Sequence, residues 1–290
     1  MKCLAEKERV INQSPKAYKP DIFYEKSGAG KKQIIFIHGF GLNRKSWYDI
    51  SPMVAEKATV HMVDLIGFGD SPAPENWPYT IEAQADVLYD FIILQNLANV
   101  VIAGHSYGGG VGLMLLLKMI ENGDSERIRK LILIAPAVYP QQLPFFLMIP
   151  CIPVIGGFLL NHLSAEFQIS YTLRKIFWNK KAITRKKIRR YYNNIETSSH
   201  RNALIKTAQN IIPKEADSLL DKIKKIKHPT LLIYGEHDSV ILRRNLERLS
   251  RTLPNIITRK IGYCGHVPHE EYPVLVSGLI HDFLEGDSCS

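Results

Sequence analysis

Six short apolar runs recur along the chain, and their alternation with helix-length segments limits the fold more than any other feature. The runs are Gln33–Ile37, Thr59–Val63, Val100–Ala103, Leu131–Ala135, Thr230–Tyr234 and Ile256–Ile261. They are rich in Ile, Val and Leu and mostly continuous, the pattern of strands covered on both faces. Between them, Thr80–Gln95, Tyr107–Glu121, Leu242–Thr252 and Tyr272–Leu284 read as helices. Thr80, with Ala83 and Gln84 after it, is a suitable N-cap, and Asn122-Gly123 a suitable stop. The expected fold class is α/β, a mostly parallel central sheet flanked by helices. Ile22–Glu25 is expected to add an edge strand.

The alternation fails between about Tyr139 and Pro213. The expected division is a core of residues 1–138 and 213–290, interrupted by a mostly helical cap or lid over 139–212. That insertion differs internally. Residues 143–160 are nearly all apolar, whereas 174–190 carry nine basic residues and no acidic one. The apolar stretch is the nearest approach to a membrane span, but Pro144, Pro150, Pro153, Gly156 and Gly157 would break such a helix.

Gly104-His105-Ser106-Tyr107-Gly108 sits between the run Val100–Ala103 and the helix expected from Tyr107. A nucleophile on so tight a strand-to-helix turn has strained backbone, and glycines two residues to either side avoid collisions. The helix N-terminus also directs free N–H groups at negative charge developing there. The bland alternative is a Gly-rich helix start with Ser106 as an N-cap.

From Gln33 to Leu284 the chain resembles the α/β-hydrolase superfamily, in particular its capped esterase and lipase-like branch. Four landmarks occur in the family's order: His38-Gly39-Phe40-Gly41, Asp64-Leu65-Ile66-Gly67-Phe68-Gly69-Asp70-Ser71, Gly104–Gly108, and Gly265-His266-Val267-Pro268. The resemblance implies a triad of Ser106, Asp238 and His266, in which the imidazole takes the serine proton and the carboxylate orients the imidazole. His269 is the rival base, and its neighbours suggest packing at a helix start. His105 should point away along the elbow. Glu236 is the rival acid, and Asp64 and Asp70 are read as organising a turn beneath the site. By the same resemblance, the backbone N–H groups of Phe40 and Tyr107 form the oxyanion hole.

The expected activity is hydrolysis of carboxylic esters with medium or long acyl chains through an acyl-enzyme. Ser106 argues against the aspartate-nucleophile branches, the haloalkane dehalogenases and epoxide hydrolases. Carbon–carbon bond hydrolases rank second: they usually have Asn where this chain has His105 and Trp where it has Val267. Acyl transfer to an acceptor other than water uses the same acyl-enzyme. A non-catalytic binding protein on this fold is the alternative from a different class. Phe145, Phe146, Met148 and Val267 are the candidate pocket residues.

Formal net charge is +9, from 37 Lys and Arg against 28 Asp and Glu. The basic run beside apolar residues suggests peripheral contact with an anionic membrane, although such a run is most often a solvated helix face. No nucleic-acid motif accompanies it, so no nucleic acid is expected. Four scattered cysteines and a charged N-terminus suggest reduced thiols and a cytoplasmic location. No metal or organic cofactor is implied.

Overall fold

The structure is a computed structural model that describes residues 6–9, 21–142, 144–148, 162–211 and 216–286. Eight strands form one sheet: β1 Glu6–Arg9, β2 Phe23–Ser27, β3 Lys32–Ile37, β4 Ala58–Asp64, β5 Val100–His105, β6 Ile128–Ile134, β7 Thr230–Gly235 and β8 Ile256–Ile261. Their spatial order is β1-β2-β4-β3-β5-β6-β7-β8. Strands β4 to β8, with β3 among them, are parallel, and β1 and β2 join antiparallel at one side.

The continuous apolar runs have a direct cause. Successive strand residues face opposite sides of the sheet, and both sides are covered here. Ile35 and Ile37 belong to one core with Ile102, Leu131 and Leu133. Ile34 and Phe36 belong to the other, with Val101, Ala103, Ile132 and Ile134. Burying each Ile, Leu, Val or Phe among them contributes about 1.5–3 kcal/mol.

Two strands depart from the expected pattern. The strand expected over Ile22–Glu25 forms, but it is not the edge, because β1 pairs outside it. β1 reads Glu-Lys-Glu-Arg, a charged sequence with no apolar signal, which suits the edge of a sheet. β8 is the other edge, and its exposure alternates, with Ile257 45% exposed.

Helix α1, Ile81–Leu94, begins where Thr80 Oγ1 accepts the Ala83 N–H at 3.2 Å. It packs against α2, Tyr107–Glu121, which follows β5 directly. Between β6 and β7 the insertion supplies α3, Ala165–Ile176, the short helix Arg185–Arg189, and α4, Ser198–Gln209. Ser164, Thr184 and Thr197 cap these three in turn. After β7 come α5, Arg243–Thr252, and, beyond β8, α6, Pro273–Glu285. No described helix is long and apolar enough to cross a membrane.

The basic run is not one solvated face. Lys187 and Arg190 turn inward to Asp49, at 2.8 and 2.6 Å, and both lie beside the buried Glu270. The Lys180 ammonium closes the end of α3 by donating to the carbonyls of Arg174 and Phe177. The other six cations of the run, Arg174, Lys175, Lys181, Arg185, Lys186 and Arg189, are exposed.

Chain order and spatial order diverge at β3: β4 lies on one side of it and β5 on the other. In an open α/β sheet such a divergence leaves a crevice at the carboxyl ends of the strands. The loops after β3, β5, β7 and β8 all open there.

Candidate active site

The turn from β5 to α2 is held from both sides. Ser106 adopts φ 51° and ψ −119°, a conformation an L-residue keeps only when its surroundings enforce it. Its N–H donates to the Ile134 carbonyl at 2.9 Å, and its own carbonyl accepts the N–H groups of Gly109 and Ala137, each at 2.9 Å. A Cβ on Gly104 would collide with the Gly108 backbone, and one on Gly108 with the carbonyls of Ile37 and His38. The two glycines of the motif are thus needed for close backbone approach.

His266, in the loop after β8, has Nδ1 2.9 Å from Asp238 Oδ2 and Nε2 2.9 Å from Ser106 Oγ. A carboxylate only accepts, so Nδ1 carries the proton, and Nε2 presents its lone pair to the serine hydroxyl. Asp238 is fixed in turn: its Oδ1 accepts the N–H groups of Val240 and Ile241 at 2.7 and 3.0 Å. The carboxylate is 3% exposed, which preserves its interaction with the ring.

The rivals lie elsewhere. Glu236 pairs with Lys260 on the surface at 2.7 Å. His269 is fully buried and stacked on Trp47 with ring centroids 4.4 Å apart, and burial pushes its pKa down to about 3. His105 turns its ring under the site, between His266 and His269. Its Nε2–H donates to the His266 carbonyl at 2.8 Å.

Tyr107 is the first residue of α2, directly after Ser106, so its N–H has no acceptor within the helix. Phe40 lies in the turn after β3 and lines the same cavity as Ser106. Beneath this turn the buried Arg44 guanidinium binds Asp64, Glu25 at 2.8 Å and Asp70 at 2.7 Å. Burial raises Asp64 to about 6 despite that cation. His38 donates from Nδ1 to the Gly39 carbonyl at 2.9 Å and accepts the Leu65 N–H at Nε2, so it is a neutral pin between two turns. Burial lowers it to about 4.

Ser106 and His266 open into a cavity of about 880 Å³ including its mouth. Its wall includes Phe40, Leu42, Phe146, Leu173, Ile195 and Leu204 and, among the described residues, no Lys, Arg, Asp or Glu. Two expected pocket residues are misplaced. Phe145 is 73% exposed and does not line the cavity, because its four-residue helix turns Phe146 inward instead. Val267 is fully buried in the core, where its carbonyl receives the Glu270 and Glu271 N–H groups. The Met148 side chain falls outside the described residues.

Residues 32–273 match the family described as alpha/beta hydrolase fold. The chain belongs to that family. Among relatives of this α/β-hydrolase, YugF of Bacillus subtilis, described as an uncharacterized hydrolase, is 26% identical over 267 residues, 91% of this chain and 94% of its own. The 2-hydroxymuconate semialdehyde hydrolase of a Pseudomonas species is 25% identical over 272 residues, 91% of this chain and 90% of its own. Other relatives carry the names of esterases and lipases. Among solved structures, the serine hydrolase CCSP0084 of Cycloclasticus zankles superposes with a TM-score of 0.81 at 21% identity, over 99% of this chain and 100% of its own. That last likeness is one of fold.

Among the described residues of this hydrolase, no three His, Cys, Asp or Glu side chains are gathered as a metal site. Two residues at the site gave no sequence signal. Glu271 follows the His266 loop with nothing to mark it but acidity, and Asn194 lies in an insertion whose path no periodicity reveals.

Proposed function

We propose that this chain is a serine hydrolase of carboxylic esters with an apolar acyl group of medium or long chain. One observation carries the reading: the Asp238–His266–Ser106 hydrogen-bond line ends in a cavity whose wall is mostly apolar and, among the described residues, carries no Lys, Arg, Asp or Glu. Ser106 Oγ attacks the ester carbonyl carbon as its proton passes to His266 Nε2. Asp238 stabilises the imidazolium, and the oxyanion takes the N–H groups of Phe40 and Tyr107. The intermediate collapses as His266 returns the proton to the departing alcohol, leaving the acyl group on Ser106. Water, deprotonated by His266, attacks the acyl-enzyme and frees the acid.

Residues 139–212 act as the cap, supplying much of the acyl-binding wall through α3 and α4. The polar groups on that wall are already engaged: Gln168 Nε2 donates to Leu163 and Thr172 Oγ1 to Gln168. Among the described lining residues no Lys or Arg waits for a carboxylate-bearing ring-cleavage product, which places carbon–carbon hydrolysis second.

Esters of graded chain length test the reading, with Ser106→Ala as control. Hydrolysis should rise from acetate towards medium or long chains and vanish in the variant. Activity that survives Ser106→Ala, or its complete absence on all esters, would refute it.

A further inference from the structure

The loops that carry the chemistry are tied to one stretch of the insertion, Ile176–Asn194. On the histidine side, the backbone N–H of His266 donates to the Ile176 carbonyl at 2.8 Å. Glu271 binds across the same junction. Its Oε2 accepts the N–H groups of Trp178 and Asn179 at 3.0 and 2.8 Å, and its Oε1 accepts the Gly265 N–H at 2.7 Å. The approach is close: a Cβ on Gly265 would stand 2.7 Å from Trp178 N and 2.8 Å from Glu271 Oε1.

On the other side, Asn194 is 2% exposed and uses both ends of its amide. Nδ2 donates to the Gly41 carbonyl at 2.8 Å, next to Phe40. Oδ1 accepts the Gly69 N–H at 3.0 Å and the Asn43 Nδ2 at 3.2 Å. Asn43 in turn donates to the Arg190 carbonyl at 2.8 Å. Between the two ends, Lys187 and Arg190 pair with Asp49, and Tyr191 donates to Glu270 at 2.7 Å.

We propose that Ile176–Asn194 is a fixed strap, not a mobile lid, which sets the places of His266 and of the Phe40–Gly41 turn through the positioning residues Glu271 and Asn194. The assignment of Glu271 and Asn194 rests on the ester-hydrolase reading; the rigidity of the strap does not. A lid that swung at this point would break the bonds to Gly265, His266 and Gly41 together and undo both the base and the oxyanion turn. A fixed strap keeps them while substrate enters elsewhere.

Two measurements test the strap. The first compares Glu271→Gln and Asn194→Leu with the wild type on a reactive aryl ester, with Lys186→Ala, exposed on the same strap, as control. A Gln can accept on one side only, so its amide N–H₂ must face the N–H of either Gly265 or Trp178. Expected is a fall in kcat of about tenfold or more in each, as displacement of a base by about 1 Å can cost about 10²-fold. KM should stay within about threefold for Glu271→Gln, since Glu271 does not line the cavity; Asn194 does line it, so for Asn194→Leu the fall in kcat alone is read. Full kcat in both variants, with activity still dependent on Ser106, would overturn the positioning roles.

The second measurement is amide hydrogen exchange on the wild-type protein, which needs neither a folded variant nor activity. The amides of Trp178, Asn179, Gly265 and His266 should exchange as slowly as those of β5 and β6. Exchange at those four sites orders of magnitude faster than in the sheet would show a strap that opens. An absence of esterase activity would count against the proposed function alone and leave this second result to decide the strap.

Discussion

His105 Nε2–H donates to the carbonyl oxygen of His266 at 2.8 Å, so the residue preceding the nucleophile also holds the loop of the base. The two loops leave β5 and β8, strands separated in the sheet by β6 and β7. His105→Phe retains a ring between His266 and His269 but removes the donor and leaves a buried carbonyl unpaired. That costs about 1–3 kcal/mol of stability. The urea midpoint should fall accordingly, and kcat should fall about tenfold as the base loosens.

Asp238 and Glu236 are two residues apart and should behave oppositely. Asp238→Asn would favour the wrong tautomer of His266, with an expected loss in kcat of about 10⁴-fold. Glu236→Gln removes only a surface pair with Lys260 and should leave kcat within about twofold. Steady-state kinetics of the two variants checks both.

The sheet was legible because burial on both faces writes itself as continuous apolar runs. β8 is read with its observed bounds although its exposure alternates, whereas β1 is all charge and carries no such signal. Ser106, His266 and Asp238 could be named because each follows a readable strand. Sequence gives neighbourhood and not the direction of a side chain, which is why Phe145 and Val267 read as pocket residues although neither lines the cavity. The basic run divides, mostly exposed but with Lys187 and Arg190 turned inward, for a related reason. Whether Lys187 meets solvent or Asp49 depends on a contact 138 residues away in sequence, which composition does not encode. Asn194 and Glu271 act through backbone partners, which any sequence supplies.

Leu173 on α3 is 1% exposed and lines the cavity, so its truncation has two separable effects. Leu173→Ala should cost about 2–5 kcal/mol of stability. The added room should move the preferred ester towards bulkier or longer acyl chains. Thermal unfolding and a chain-length series measure the two.

Acidification should destabilise the fold below pH 6.5. Burial lowers His38 to about 4 and His269 to about 3, against 6.5 for an unfolded chain, and holds His105 neutral as well. Across that interval the unfolded chain takes up protons that the folded one refuses, so stability is lost as pH falls. Asp64 and Glu270 oppose this, since burial raises both to about 6 and the folded state binds their protons first. Their displacements are smaller than those of the histidines, so the histidines decide the sign. The urea midpoint should drop between pH 6.5 and 4, and less steeply in His269→Phe. A midpoint that held or rose would contradict this balance.

The most direct measurement is mass spectrometry of the protein quenched in acid during turnover of an activated ester. An added acyl mass is expected on the peptide containing Ser106 and none in Ser106→Ala, with the adduct accumulating when water attack is the slow step. Ester turnover accompanied by an acyl adduct on another residue, or persisting undiminished in Ser106→Ala, would contradict that expectation.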